Sequence, residues 1–457
     1  MPTASYPHDD RQFVGRANEM EVLEDLHASG RPEFFVLYGR RRVGKTELLQ
    51  RFCERRRAVY FLAAQVRDKD NLAAFRDQLR ESLDDPLLEN VEFPDWAAAL
   101  GFVAERAGGE RLVVVLDEFP YLCEANKGLP SLLQKFWDVR GKRSQLMLVL
   151  CGSQVSFMEN EVLSEKSPLF GRRTAQRRLQ PLRPIEALSF FPTWELEDRI
   201  TAYGALGGMP AYLQRFVPEY DLRENLLREV LRPEGYLFDE VQFLLRSEMT
   251  SPATYNSILG AVARGSERVG DIALAVGVES TTANKYLSVL RELGLVDRLV
   301  PLTDPDPLRS RRGTYRIADR FVAFHFRHVQ PHLSLIEAGR GERVFDEAVE
   351  PDLGRLFEDA LVDFVIDHLR REAAELLDDE VVEVGRHPGT RVRAIARTSG
   401  GRHVAAVVES GAVPGGTESR ELAGLEPLLG EPPTVLRYSL RRDSQAPLEV
   451  RGPEAPA

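Results

Sequence analysis

The chain has 457 residues, which allows about three domains of ~150 residues each and a large buried core. Hydrophobic residues make up 43%, an ordinary globular content that excludes wholesale disorder. A formal net charge of −11 supplies no global attraction to nucleic acid, so any such contact has to come from a local patch.

Residues 1–12 read as a disordered tail, as do residues 451–457. Met1–Asp10 has no basic stretch followed by an apolar run, so it does not read as a signal peptide. No segment approaches the ~20 consecutive apolar residues of a membrane span, and no membrane partner is expected. The three cysteines, Cys53, Cys123 and Cys151, are odd in number and lack metal-ligand spacing. They suit a reducing, cytoplasmic setting and apolar packing.

Apolar runs predict buried strands at Phe34–Tyr38, Ala58–Ala64, Leu112–Leu116 and Leu146–Cys151. Helical patterns fall between them at Thr46–Glu54, Leu72–Leu83 and Leu129–Val139. This alternation predicts a parallel α/β sheet covered on both faces, placed at residues 13–180. Over 181–248 helical patterns dominate, as at Leu222–Leu231 and Tyr236–Arg246. Residues 249–335 hold three short helices and a possible hairpin. Residues 336–450 hold a long helix, Leu353–Leu377, and strand-like runs at Arg391–Ala396 and His403–Val408.

Gly39-Arg40-Arg41-Arg42-Val43-Gly44-Lys45-Thr46 follows the first strand and opens the first helix of this set. Glycines let a loop wrap an anion with its backbone N–H groups, and the helix N-terminus adds positive potential. In that setting Lys45 is expected on the β/γ-phosphates of ATP and Thr46 on Mg²⁺. The run Leu112–Leu116 ends in Asp117-Glu118, placing one carboxylate for the metal ion and another as a base for the attacking water. Gly152-Ser153 ends the next strand. Ser153 either contacts the water or γ-phosphate, or simply caps the following helix. Arg172 and Arg173, in Ser167–Thr174, offer cations for transition-state charge, with a surface salt bridge as the alternative.

These segments, with Phe13-Val14-Gly15-Arg16, Leu116-Asp117-Glu118-Phe119 and Cys151-Gly152-Ser153, resemble the archaeal-type ATPase family, on the AAA+/STAND side of P-loop NTPases. The resemblance implies that Val14, Gly15 and Arg16 lie near the adenine. It further implies that Gly208-Met209-Pro210 belongs to the lid, with Pro210 packing near the base. From the residues alone, Gly207–Pro210 reads as a loop breaker between helices.

Tyr255–Arg264, Val269–Val276 and Ser280–Leu293 read as three helices, broken at Gly277 and capped by Gly294. Leu274, Val276, Ala283, Tyr286, Leu287, Leu290 and Leu293 are expected to form their apolar face. Val296–Val300 and Gly313–Ile317 would pair as a wing, giving a winged helix-turn-helix. Residues 251–330 carry 11 basic and 8 acidic residues. Thr281, Thr282, Asn284 and Lys285 would face double-stranded DNA, and Arg309, Arg311 and Arg312 its phosphates. Protein contact, or service as part of the ATPase lid, is the alternative.

For 336–450 the resemblance implies a restriction-endonuclease-like fold, whose usual pattern is a helix glutamate, a strand ending Glu-x-Asp, then Glu-x-Lys. Here Glu358 and Glu409 match in place. Arg393 stands at the Asp position and Gly411 at the Lys position, so metal-dependent cleavage is not expected. The complete fold expectation is α/β: a P-loop NTPase parallel sheet, a helical lid, a winged helix-turn-helix domain and a degenerate nuclease-like domain. The expected function is a Mg²⁺-dependent ATPase acting as a molecular switch with DNA or an unidentified protein partner, with an oligomer allowed. The alternatives are a DNA-processing ATPase working with a nuclease partner, or an ATP-binding scaffold with negligible turnover.

Overall fold

A computed structural model describes residues 13–89, 91–249, 251–302, 304, 310, 312–409, 416–440 and 448–452. Internal contacts divide the chain into two units. One is Gly15–Pro181, and the other runs from Leu182 onward and takes in Phe13 and Val14.

In the first unit, β1 (Glu33–Tyr38), β3 (Leu112–Asp117) and β4 (Leu146–Gly152) are buried at every position. Such runs cannot alternate in polarity because helices cover both faces of the sheet. With β2 (Ala58–Leu62) and β5 (Ala175–Arg178) they form one parallel sheet in the order β2-β3-β4-β1-β5. Strand β4 thus stands between β1, which feeds the glycine-rich loop, and β3, which carries the acidic pair. Tyr38, the last residue of β1, pairs with Gly152 of β4. Strand β5, Ala-Gln-Arg-Arg, has no apolar signature and was not anticipated. Its existence depends on pairing with β1, where Phe35 faces Ala175.

The second unit begins with short helices, among them Leu222–Glu229, whose N-terminus is capped by the Asp221 carboxylate accepting from Glu224 N at 2.7 Å. Helices Pro252–Ala263, Val269–Val276 and Ser280–Glu292 follow, with Gly277 at φ 77° in the turn between the last two. Strands β6 (Val296–Leu299) and β7 (Thr314–Ile317) pair antiparallel, Val296 against Ile317. Ala283, Leu287, Leu290 and Leu293 are buried as expected, but Leu274 is 84% exposed and does not belong to the apolar face. On the helix Val269–Val276, Ile272 and Ala273 take the inward positions instead.

The long C-terminal helix is interrupted at Glu372, giving Leu353–Arg371 and Ala373–Leu377. Beyond it, β8 (Val381–Arg386), β9 (Val392–Thr398), β10 (His403–Val408), β11 (Thr434–Leu440) and β12 (Leu448–Arg451) form a mixed sheet in sequential order. Only the β10–β11 pair is parallel. Leu361, Val365 and Leu369 cover one face over Ala394, Ala396, Val404 and Ala406. Leu425, from the helix Thr417–Leu429, covers the other face over Ile395, Ala405 and Val407. Arg451, assigned to a tail from sequence, instead ends β12 opposite Arg437.

Candidate nucleotide site

The loop Gly39–Thr46 leaves the end of β1 and delivers its last residues to the helix Lys45–Cys53. Gly39 has φ 154°, and a Cβ there would meet Leu179 O at 2.6 Å, so only glycine lets the loop pass the backbone after β5. Gly44, at φ 93°, makes the turn into the helix. Arg42 is also left-handed at φ 69°, a conformation that costs a side-chain-bearing residue of order 1–2 kcal/mol.

Lys45 is 5% exposed, and its ammonium donates to Gly39 O at 2.8 Å and Arg40 O at 3.0 Å. A buried ammonium whose hydrogen bonds go only to carbonyls is under-compensated, which suits an anion in the loop. Arg41 reaches Tyr121 OH at 2.8 Å. Arg16, 6% exposed at φ 68°, donates to Val43 O at 2.7 Å and to Gln180 O at 2.8 Å. Arg16 therefore braces the loop from behind. Gly15 beside it is also left-handed at φ 68°.

The Thr46 hydroxyl donates to Asp117 Oδ2 at 2.9 Å, and Tyr60 on β2 donates to the same oxygen. Burial, followed by the charge of Asp117, pushes the Tyr60 phenol far above its ordinary range, so it stays a donor. Asp117 Oδ1 accepts from Glu118 N at 2.9 Å. A hydroxyl joined to a carboxylate at a helix start is a donor set of hard oxygens, which fits Mg²⁺ completed by phosphate oxygens and water. No cluster of three or more His, Cys, Asp or Glu offers an all-protein metal cage among the described residues.

Glu118 sits at φ 52°, immediately before the helix Phe119–Ala125. This strained backbone turns its carboxylate toward β4, where Ser153 Oγ donates to Oε2 at 2.8 Å. Ser153 is 1% exposed, and its hydroxyl is spent on Glu118, so the helix-cap alternative does not describe it. Gly152 leaves space for Met158 and Pro120, which a Cβ would strike at 2.6 and 3.0 Å.

Arg172 and Arg173 lie elsewhere. They precede β5, whose first residue faces Phe35 near the start of β1, about 10 Å along the strand from the loop-bearing end. Arg172 is held by Asp138 at 2.9 Å through Nε. The Arg173 guanidinium is 3.5 Å from Leu163 O and 5.7 Å from the Phe170 ring centre. Neither makes a hydrogen bond or ion pair to the phosphate loop or the acidic pair among the described residues, although the charge of Arg173 is felt by the Tyr38 phenol at the end of β1. Cys123 and Cys151 pack in the core, where burial pushes the Cys123 thiol up to about 12 and that of Cys151 well above its ordinary value.

In the second unit, Pro210 opens the helix Pro210–Leu213 shortly after Gly207, whose φ is 69°. Thr281, Asn284 and Lys285 share an exposed helix face, and Thr282 is half-buried. Arg312 is exposed, whereas Arg309 and Arg311 lie outside the described residues. Glu358 lies on the long helix, Glu409 is exposed after β10, and Gly411 is outside the described residues. Arg393, on β9, approaches Asp359 at 3.9 Å. Sequence reasoning missed Tyr60 and the bracing role of Arg16. Tyr60 sits inside an ordinary strand pattern, and only the β2–β3 pairing, with Leu62 opposite Asp117, marks it.

A five-stranded parallel sheet with a glycine-rich loop after β1 and an acidic pair after β3 defines a P-loop NTPase. The family described as an ATPase domain predominantly from Archaea matches residues 13–216. An uncharacterized protein of Methanocaldococcus jannaschii is 35% identical over 361 residues, covering 78% of this chain and 77% of that protein. An uncharacterized ATP-binding protein of the same organism is 44% identical over 45 residues, 10% of this chain and 76% of its own length. A solved Walker-type ATPase of Pyrococcus abyssi shares the fold with a TM-score of 0.52 at 22% identity, covering 69% of this chain and 96% of that one. The chain belongs to the archaeal-type ATPase family and is an ATP-binding P-loop protein. No helix among the described residues is long and apolar enough to cross a membrane.

Proposed function

We propose that this chain hydrolyses ATP with Mg²⁺ and uses the cycle as a molecular switch. The observation that carries the reading is the joined set Thr46–Asp117 at 2.9 Å and Ser153–Glu118 at 2.8 Å beside the buried Lys45. Lys45 and the loop amides hold the phosphates. Thr46 and Asp117 hold Mg²⁺, which neutralises charge developing on the β- and γ-phosphate oxygens. Glu118 takes the proton of the attacking water, and Ser153 orients that carboxylate. Val14 and Gly15 are assigned to the adenine on the family resemblance. Arg16 joins them there while bracing the loop.

Residues 249–335 serve as a winged helix-turn-helix that presents Thr281, Thr282, Asn284 and Lys285 to double-stranded DNA. The exposure of Thr281, Asn284 and Lys285 on one helix face, with Thr282 half-buried beside them, supports this over a purely internal lid role. The C-terminal domain acts without nuclease chemistry, because the guanidinium of Arg393 cannot ligate a metal ion.

The test is the ATPase rate of the full chain with and without duplex DNA, beside Glu118→Gln. A switch turns over slowly with little stimulation and changes partner affinity with nucleotide state. Strong stimulation by DNA would select the DNA-processing reading. Turnover equal to that of Glu118→Gln would select the scaffold.

A further inference from the structure

A cavity of about 630 Å³ opens in the second unit between the β6–β7 ladder and the C-terminal sheet. Its volume falls within the ~300–1,000 Å³ of small-molecule sites and exceeds what a lone inorganic ion needs. Arg312, Arg386 and Arg393 line it, with Glu267 and Asp359 as its carboxylates. Leu299, Pro301, Ile395 and Leu425 form an apolar wall.

The guanidinium groups are not saturated by the protein. Arg393 makes no hydrogen bond through its side chain among the described residues, and its one ion pair, to Asp359 at 3.9 Å, is beyond hydrogen-bond reach. Arg386 is held by Asp363, but Asp363 also serves Arg320, so two cations share one carboxylate. The Nε of Arg386 is buried without an acceptor. Burial brings this guanidinium down to about 10 even though Asp363 opposes the shift. An oxyanion in the cavity gives the partly exposed Arg393 the acceptor it lacks and adds negative charge beside Arg386, and a guanidinium fork matches phosphate oxygens two at a time.

The rim is built rather than loose. The Glu421 carboxylate accepts from the backbone N–H groups of Thr390, Arg391 and Val392 at 2.7, 3.0 and 2.8 Å. This anchors the loop after β8 and fixes where β9 presents Arg393.

We propose that this cavity binds a nucleoside monophosphate group, with the phosphate on Arg393, Arg386 and Arg312 and the base against the apolar wall. A planar ring suits that wall better than the hydroxyl-rich body of a sugar phosphate. The group comes either from a free mononucleotide or from the 5′-phosphate end of a nucleic acid strand. The site is independent of the ATP reading.

The test is calorimetric titration of full-length Lys45→Ala protein, whose phosphate loop is disabled, with AMP and with adenosine. The same titration of the native chain saturated with a non-hydrolysable ATP analogue covers the case in which Lys45→Ala does not fold. AMP is expected to bind about tenfold or more tighter than adenosine, and Arg393→Ala to remove that advantage while Arg393→Lys keeps part of it. A 5′-phosphorylated oligonucleotide against its 5′-hydroxyl twin distinguishes the two sources. No AMP binding, equal binding of AMP and adenosine, or AMP affinity unchanged in Arg393→Ala would overturn the proposal.

Discussion

The hydroxyl of Thr46 and the carboxylate of Asp117 meet at 2.9 Å, although 71 residues separate them in the chain. The contact joins the phosphate loop to the end of β3 across the strand between them.

Lys45→Ala should abolish ATP binding or nearly so. The ammonium is buried and hydrogen-bonded only to the loop's own carbonyls, inside the turn where the phosphates would sit. Equilibrium binding of a fluorescent ATP analogue checks this. Native affinity in the variant would remove the loop from the site.

Glu118→Gln should retain ATP and lose turnover by about 10²–10⁴, the usual worth of a positioned general base. Ser153→Ala should lower kcat by a smaller factor and leave KM near its native value, because Ser153 touches Glu118 and acts through it. Single-turnover kinetics separate the two. A Ser153→Ala protein with only a raised KM would contradict the orienting role.

Tyr60→Phe removes one of two donors to Asp117 Oδ2 while keeping the ring that fills the space. The carboxylate is then less firmly oriented, and the Mg²⁺ concentration for half-maximal ATP binding should rise several-fold, about 1 kcal/mol. A Mg²⁺ titration identical to that of the native chain would show that Thr46 suffices.

On the exposed face of the helix Ser280–Glu292, Asn284→Ala with Lys285→Ala should weaken duplex DNA binding. The salt dependence should also flatten, by about one unit of slope for the lost cation. Replacing Arg309, Arg311 and Arg312 tests the wing in the same way. Slopes unaltered by both sets would favour a protein partner at this domain.

His325 is 1% exposed, and both ring nitrogens are buried without hydrogen-bond partners. Burial pushes its pKa down from 6.5 to about 4. The folded state therefore holds the proton less tightly than the unfolded chain. Its contribution is complete above about pH 6.5 and is lost as pH falls toward 4, amounting to about 3 kcal/mol. His325→Phe should shrink the drop in Tm between pH 7 and pH 5. An equal drop in both proteins would place the acid sensitivity elsewhere.

Much of the site was legible because its parts are contiguous. The loop Gly39–Thr46 and the strand ending in Asp117-Glu118 each show an apolar run followed by the residues that do chemistry. The three helices over residues 252–292 were equally plain, since glycines mark the turn and the cap. Strand β5 was hidden, being four polar or small residues whose only reason to extend is the edge of β1. Leu274 was misplaced because a periodic pattern does not say which apolar residue the neighbouring helices leave uncovered.

The sequence by itself determined the phosphate loop, the acidic pair and the family, because these are local arrangements of backbone and side chain. Tertiary structure decided which residues serve them. Placing β4 between β1 and β3 brings Ser153 to Glu118, and pairing β2 with β3 brings Tyr60 to Asp117. The parallel register of β5, with Ala175 opposite Phe35, places Arg172 and Arg173 before the strand, toward the start of β1 and away from its loop-bearing end. Strand order is set by burial and pairing summed over the whole sheet, and no short window of sequence contains that sum.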